Sequence, residues 1–453
     1  MKKVNLLLLL SLFFIAAGCK KSQGPDAGEV SMSLTVSFDD QLKEYNFSAL
    51  NTEVTITNLI TGQTNKATAN EKGTVTFGNI TQGTYNVTAA LKMSAKDYNA
   101  QTNAYVTDDV VFNGSLGNQS VTAANTQLSL VLKSGRLGGW VIKQIYYAGS
   151  NQKNGAIFRD QFLEIYNNSN ELMYADSLYF GQIEGVATAI SKIDQSKGFY
   201  LQSGQFDWSK AIGNTVSKAN ENYLYAASLY MIPSDGSGKK YPVQPGGSII
   251  IAQNAQNHKV SWSGNGTTYA VADPSLTVDL SHADFEAYLV DYLKVTKGTT
   301  KSFASDADNL NVTNLNIVVE YNNDFIMDNL GRDGFVVFKT TKDLKQYALI
   351  PAPDVKSITN DTKYKLRIPK AEVTIFDAVD IQPTSADARI PKKFTDDLDA
   401  GFGMVPGGSY SSQSIIRKTS KTVNGRRVLM DTNNSSNDFD YLDRADATKT
   451  IFK

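Results

Sequence analysis

Residues 31–38, "SMSLTVSF", alternate polar and apolar positions, placing Met32, Leu34, Val36 and Phe38 at period two. Successive side chains leave a strand on opposite faces, so this alternation predicts a half-buried strand. "EVTITNLITGQTNKAT" (53–68) predicts a strand, a turn at Thr61-Gly62 and a second strand. "EKGTVTFGNITQGTYNVTAAL" (71–91) predicts the same arrangement, with Val75 and Phe77 on one face, a turn at Gly83, and Tyr85, Val87 and Ala89 facing inward. "NTQLSLVLKSG" (125–135) closes the module. Short strands with almost no helical periodicity predict an antiparallel sandwich over residues 30–134.

Gly135, Gly138 and Gly139 then mark a joint. "WVIKQIYYA" reads as a strand with Trp140, Ile142 and Gln144 on one side. "FRDQFLEIYNNSNELMYADSLYF" carries apolar residues on both faces of two short strands, as strands in the middle of a sandwich do. "LYMIPSDGSGKKYPVQPGGSIIIA" (229–252) is the most informative run. Asp235 to Gly238 form a turn, Pro245 cannot donate to a ladder, and Gly246-Gly247 let the chain swing before the apolar "SIIIA". This predicts a crossover between sheets. The fold class is therefore all-β in two parts, 30–134 and 135–453.

The N-terminus adds an address. Lys2 and Lys3 precede an apolar run from Leu6 to Ala17, shorter than the ~20 residues a bilayer core requires. Ala16, Ala17 and Gly18 stand directly before Cys19, the arrangement of a bacterial lipobox. The expectation is a signal peptide over 1–18, lipidation of Cys19, and a polar tether over 19–29. Two or more acyl chains would anchor the chain stably. Cys19 is the single cysteine, so once lipidated it leaves no disulfide, thiolate ligand or catalytic thiol. With 44 basic and 45 acidic residues the chain has no bias toward nucleic acid.

Resemblances sharpen this picture. "GTVTFGNITQGTYNV" resembles the transthyretin-like, carboxypeptidase-regulatory-like modules, which implies a non-catalytic spacer or docking unit over 30–134. "FLEIYNNSNE", "PVQPGGSIIIAQNA" and "DTNNSSNDF" (431–439) resemble the marks of lamin-tail-like domains of immunoglobulin type. Residues 135–453 are far longer than one such sandwich, so insertions are expected. With "GWVIKQIYYAGS", "DLSHADFEAY" and "DADNLNVTNL", the chain resembles a Bacteroidota lipoprotein family of unknown function. That resemblance implies a cell-surface or periplasmic face and transfers no catalytic residues.

Candidate chemistry is sparse. "DGSGKK" (235–240) lacks the spacing of a phosphate loop and reads as a turn. His258 and His282 lack zinc spacing, and "DLSHADFEAY" reads as a turn capped by Ser281 rather than a serine–histidine–acid site. "DADN" (306–309) and "DTNNSSNDFD" (431–440) are the acidic clusters. The second sets Asp431, Asn433, Ser435 and Asn437 at alternating positions, as oxygen ligands of calcium would stand, although Asp and Asn commonly satisfy their own backbone in turns. Tyr223, Tyr225 and Tyr230 offer aromatic surface for sugars, macrocycles or protein partners, or simply fill a core.

These readings lead to a non-catalytic lipoprotein without cofactor, held to the outer membrane by its N-terminal lipid. Its expected role is accessory binding in nutrient or iron/haem acquisition beside a TonB-dependent transporter, by analogy of family and compartment. A structural or adhesive surface protein is the alternative, and a hydrolase built on a carboxylate pair is the third reading.

Overall fold

The computed structural model describes residues 28–453 apart from 39–41, 43–44, 103–108, 136–138, 170–171, 265 and 424; Cys19, the signal segment and most of the tether lie outside them. Alternation does become strand. Glu29–Phe38 buries Leu34, Val36 and Phe38 and turns the residues between them outward. The N-terminal sheet has seven strands in the order Thr64–Thr68, Glu53–Asn58, Gly83–Met93, Val110–Val121, Gln127–Gly135, Glu29–Phe38 and Thr74–Thr81. It curls nearly into a barrel around Met32, Val54, Ile56, Phe77, Val87, Phe112 and Leu130. The pair Glu29–Phe38 and Gln127–Gly135 is parallel, a feature the alternation does not encode. Thr74–Thr81 and Gly83–Met93, expected to form one strand–turn–strand unit, instead pair with different neighbours. Gln82 thus stands where the chain crosses to the other side of the core.

From Trp140 onward two sheets face one another. Sheet I runs Leu349–Pro351, Tyr364–Pro369, Tyr223–Met231, Tyr179–Ile183, Gly334–Lys339 and Thr374–Asp380, with Asn316–Val319 pairing the far end of Tyr223–Met231. Sheet II runs Thr313–Asn314, Phe285–Glu286, Ser248–Ala252, Phe162–Asn167, Trp140–Tyr146, Ser414–Arg417 and Phe439–Leu442. Between them lie Trp140, Ile142, Leu163, Ile165, Ile249 and Ile251 of sheet II against Phe180, Tyr230, Phe335, Val337 and Val379 of sheet I. The outer faces are covered as well, sheet I by Leu344 and Phe394 and sheet II by Leu280, Ala445 and Phe452. Every residue of Phe162–Asn167 is consequently buried, which is why its sequence reads apolar on both faces.

The Pro-Gly-Gly stretch performs the expected crossover. Tyr223–Met231 belongs to sheet I, Pro242–Val243 makes a short ribbon with Met173–Tyr174, and Ser248–Ala252 enters sheet II. Gly246 turns the chain with φ of +81°, and its N–H donates to the Asn167 carbonyl at 3.0 Å. One side-chain expectation needs correcting. A bulge between Ile142 and Gln144 reverses the alternation, so Ile142 and Ile145 enter the core while Lys143 and Gln144 both reach Glu164 in a buried polar cluster. The two parts of the chain touch through Lys133 and Asp397 at 3.4 Å and through Asn113 with Thr432 and Ser115 with Asp396.

Candidate functional site

An open cleft of about 760 Å³ lies on the rim of sheet I. One wall is the helix Val290–Lys297, seated by Leu293 in the core and stopped by Gly298 in the left-handed conformation. The floor is Val319, Leu344 and Leu366, and the other wall carries Tyr347 and Leu349. Tyr292, Val318, Tyr321 and Tyr347 are half-buried along it, so apolar and aromatic surface remains open to solvent.

Its polar groups are set by short bonds. Glu320 lies under the cleft, where its carboxylate accepts from the Tyr230 hydroxyl at 2.7 Å and the Asn322 N–H at 2.6 Å. Burial raises Glu320 above the ordinary carboxylate range, while those donors pull the other way. The Tyr292 hydroxyl accepts the Glu320 N–H at 3.0 Å and so ties the helix to the floor. At the helix end Lys297 Nζ donates to the carbonyls of Tyr321 (2.7 Å) and Asn322 (3.1 Å) and to Asn323 Oδ1 (3.0 Å). Lys363 Nζ donates to Asn322 Oδ1 at 3.1 Å, and Lys345 completes a rim of three lysines, with Asp361 opposite in charge. The arrangement can hold a ligand by stacking and by charge.

The residues singled out in the sequence stand elsewhere. Asp431 points inward to Arg417 (3.4 Å), and Asn433, at φ of +51°, donates to the Asp397 carbonyl (2.8 Å). Ser435 donates its N–H and hydroxyl to Asp399 at 2.8 and 2.6 Å, and Asn437 is exposed with its N–H on the Asn434 carbonyl. The four turn to four different surroundings. Ser281 donates its N–H and hydroxyl to Asp279, so Asp279 rather than Ser281 caps that turn, and Ser281 makes no bond to His282. His258 is wholly buried against Trp262, and burial lowers it to about 3. Tyr225 stacks on Trp208 with ring centroids 3.6 Å apart, and Tyr230 belongs to the core.

Sequence reasoning missed two buried arginine centres. Arg159 joins Asp306 of the "DADN" cluster (3.2 Å) and Asp324. Arg417 donates to the carbonyls of Ile142 (2.8 Å) and Met430 (2.9 Å) and to Asp377 (2.5 Å), Asp431 and Asp438. Asp377 lies on sheet I and Arg417 on sheet II, so this guanidinium stitches the two sheets at a fully desolvated point. Burial raises Asp377, and Arg417 opposes that rise. Neither arginine has any sequence signal beyond its type.

With this geometry described, the chain can be set beside known proteins. Residues 244–445 match the family model described as "Protein of unknown function (DUF4876)". That match covers most of the second part, from the Pro-Gly-Gly crossover through the "DTNNSSNDFD" loop. A solved DUF4876 family protein from Bacteroides thetaiotaomicron is 21% identical, with a TM-score of 0.48 over 91% of this chain and 94% of that one. A DUF3823 family protein from Bacteroides ovatus is 14% identical, with a TM-score of 0.13 over 50% of this chain and 99% of that one. No curated protein matches the chain. Among the described residues no helix is long and apolar enough to cross a membrane.

Proposed function

We propose that this chain is a non-catalytic binding protein, lipidated at Cys19, tethered to the outer membrane, and accessory to nutrient or iron/haem uptake through a TonB-dependent transporter. The observation that carries the binding role is the open cleft on sheet I, lined by half-buried tyrosines and exposed lysines. The raised carboxyl of the cleft is Glu320, whose carboxylate accepts from the Tyr230 hydroxyl and the Asn322 N–H. That engagement favours binding over acid–base chemistry, which needs a free carboxyl within reach of a substrate. The anchor rests on "IAAGC", and the transthyretin-like and lamin-tail-like assignments belong to the same proposal.

The test is affinity capture of the tagged, lipidated chain from native membranes. Co-purification of an outer-membrane barrel transporter, reduced by substitutions lining the cleft, is the expected result. Membrane retention without any transporter would overturn the uptake role and leave the structural or adhesive reading.

A further inference from the structure

The cleft brings two ammonium groups onto one residue. Lys297 Nζ lies 3.1 Å from the Asn322 carbonyl oxygen and Lys363 Nζ 3.1 Å from the Asn322 Oδ1. Their other partners are neutral, the Tyr321 carbonyl and the Asn323 amide oxygen. Among the described residues neither forms an ion pair; Glu320 beneath them is engaged by Tyr230 and Asn322. Burial lowers Lys297 below the ordinary lysine value against the attraction of the Glu320 carboxylate, and repulsion from Lys363 adds a smaller push in the same direction as burial. Two like charges held together by neutral acceptors form an arrangement that an anion would relieve.

The surroundings specify the remainder of the ligand. Val318, Tyr321 and Tyr347 give half-buried, largely apolar lining next to the two ammonium groups. Flat apolar bodies stack on such rings, and a charged group at one edge would meet the lysines. We propose that the cleft binds a planar organic anion, with its carboxylate, sulfonate or phosphate group bridging Lys297 and Lys363 and its apolar face against Tyr321, Val318 and Tyr347. This rests on the cleft being the binding site of the preceding section.

The probe is a pair of dyes alike in shape and different in charge: 8-anilinonaphthalene-1-sulfonate, an anion, and N-phenyl-1-naphthylamine, which is neutral. Fluorescence titration uses the whole chain carrying Cys19→Ser, so that neither lipid nor detergent adds a binding phase. The anion should bind more weakly as salt rises. Lys363→Met should weaken it about five- to tenfold, Lys363→Arg should restore most of that loss, and neither change should alter binding of the neutral dye. Lys363 is exposed, so an unchanged melting curve verifies that each variant is folded. Thr296→Trp, at an exposed position of the helix lining the cleft, should exclude both dyes. If Lys363→Met leaves the anion bound as tightly as before while Thr296→Trp excludes both dyes, the cleft stands and the anionic class is wrong. If Thr296→Trp affects neither dye, or the parent binds neither, the cleft itself is not the site and both readings fail.

Discussion

Replacing Arg417 with Met removes the cation from the point where the two sheets of the second part meet. The guanidinium is 1% exposed and serves two carbonyls and three buried carboxylates, Asp377, Asp431 and Asp438. Some relief remains in the variant, because the Ile142 N–H still donates to Asp377 and Thr432 still donates to Asp438. Methionine fills most of the stem volume but removes the guanidinium that the three acids share. Breaking a buried pair by removing one partner costs about 3–5 kcal/mol. At roughly 2–4 °C per kcal/mol for a large domain, that corresponds to a fall of roughly 6–20 °C in melting temperature. Tryptophan fluorescence is the assay, since Trp140, Trp208 and Trp262 all lie in this part of the chain.

The pH dependence has a definite sign. Asp377 is already raised by burial, and without Arg417 the attraction that opposes that rise is gone. Stability from its protonation is then fully present below the unfolded pKa and is lost as pH rises through the folded one. The deficit against the parent should therefore be largest near neutral pH and shrink toward pH 5. A loss under about 1 kcal/mol at neutral pH, typical of an exposed pair, would refute the reasoning. So would a deficit that grows on acidification.

Five further outcomes are expected. Phe439, 8% exposed beneath the Arg417 guanidinium and in contact with the core, should cost about 3–5 kcal/mol as Phe439→Ala in urea melts. Asp431→Ala should lower stability equally with calcium or chelator, whereas a calcium-dependent rise in the parent that this variant loses would establish ion binding. Gly246→Ala places a Cβ at φ of +81°, 2.8 Å from the Arg426 side chain, and should cost about 1–2 kcal/mol by thermal denaturation, with no effect expected if the crossover is relaxed. Cys19→Ser should move the protein from the membrane to the soluble fraction and abolish acyl labelling, and fragments 30–134 and 139–453 should each melt cooperatively, a disordered shorter fragment arguing against the boundary.

What the sequence determined by itself was local. Period-two alternation around Leu34, Val54 and Val87 depends only on each strand having one face in a core, so it survives whatever the neighbours are. The crossover at Pro245-Gly246-Gly247 was legible for the same reason, since a missing donor and a permitted positive φ are properties of the residues themselves. Tertiary structure alone decided which strands pair. The parallel partnership of Glu29–Phe38 with Gln127–Gly135 joins segments about ninety residues apart, and alternation is identical for parallel and antiparallel neighbours. The bulge that turns Lys143 and Gln144 onto one face follows from pairing register, which no single strand carries. The cleft and the arginine centres lie furthest from the sequence. Lys297 and Lys363 meet at Asn322 only because a helix end and a loop converge on the edge of sheet I. Arg417 meets Asp377 only where sheet II faces sheet I. In each case the chemistry comes from side chains distant along the chain, and their proximity is a property of packing.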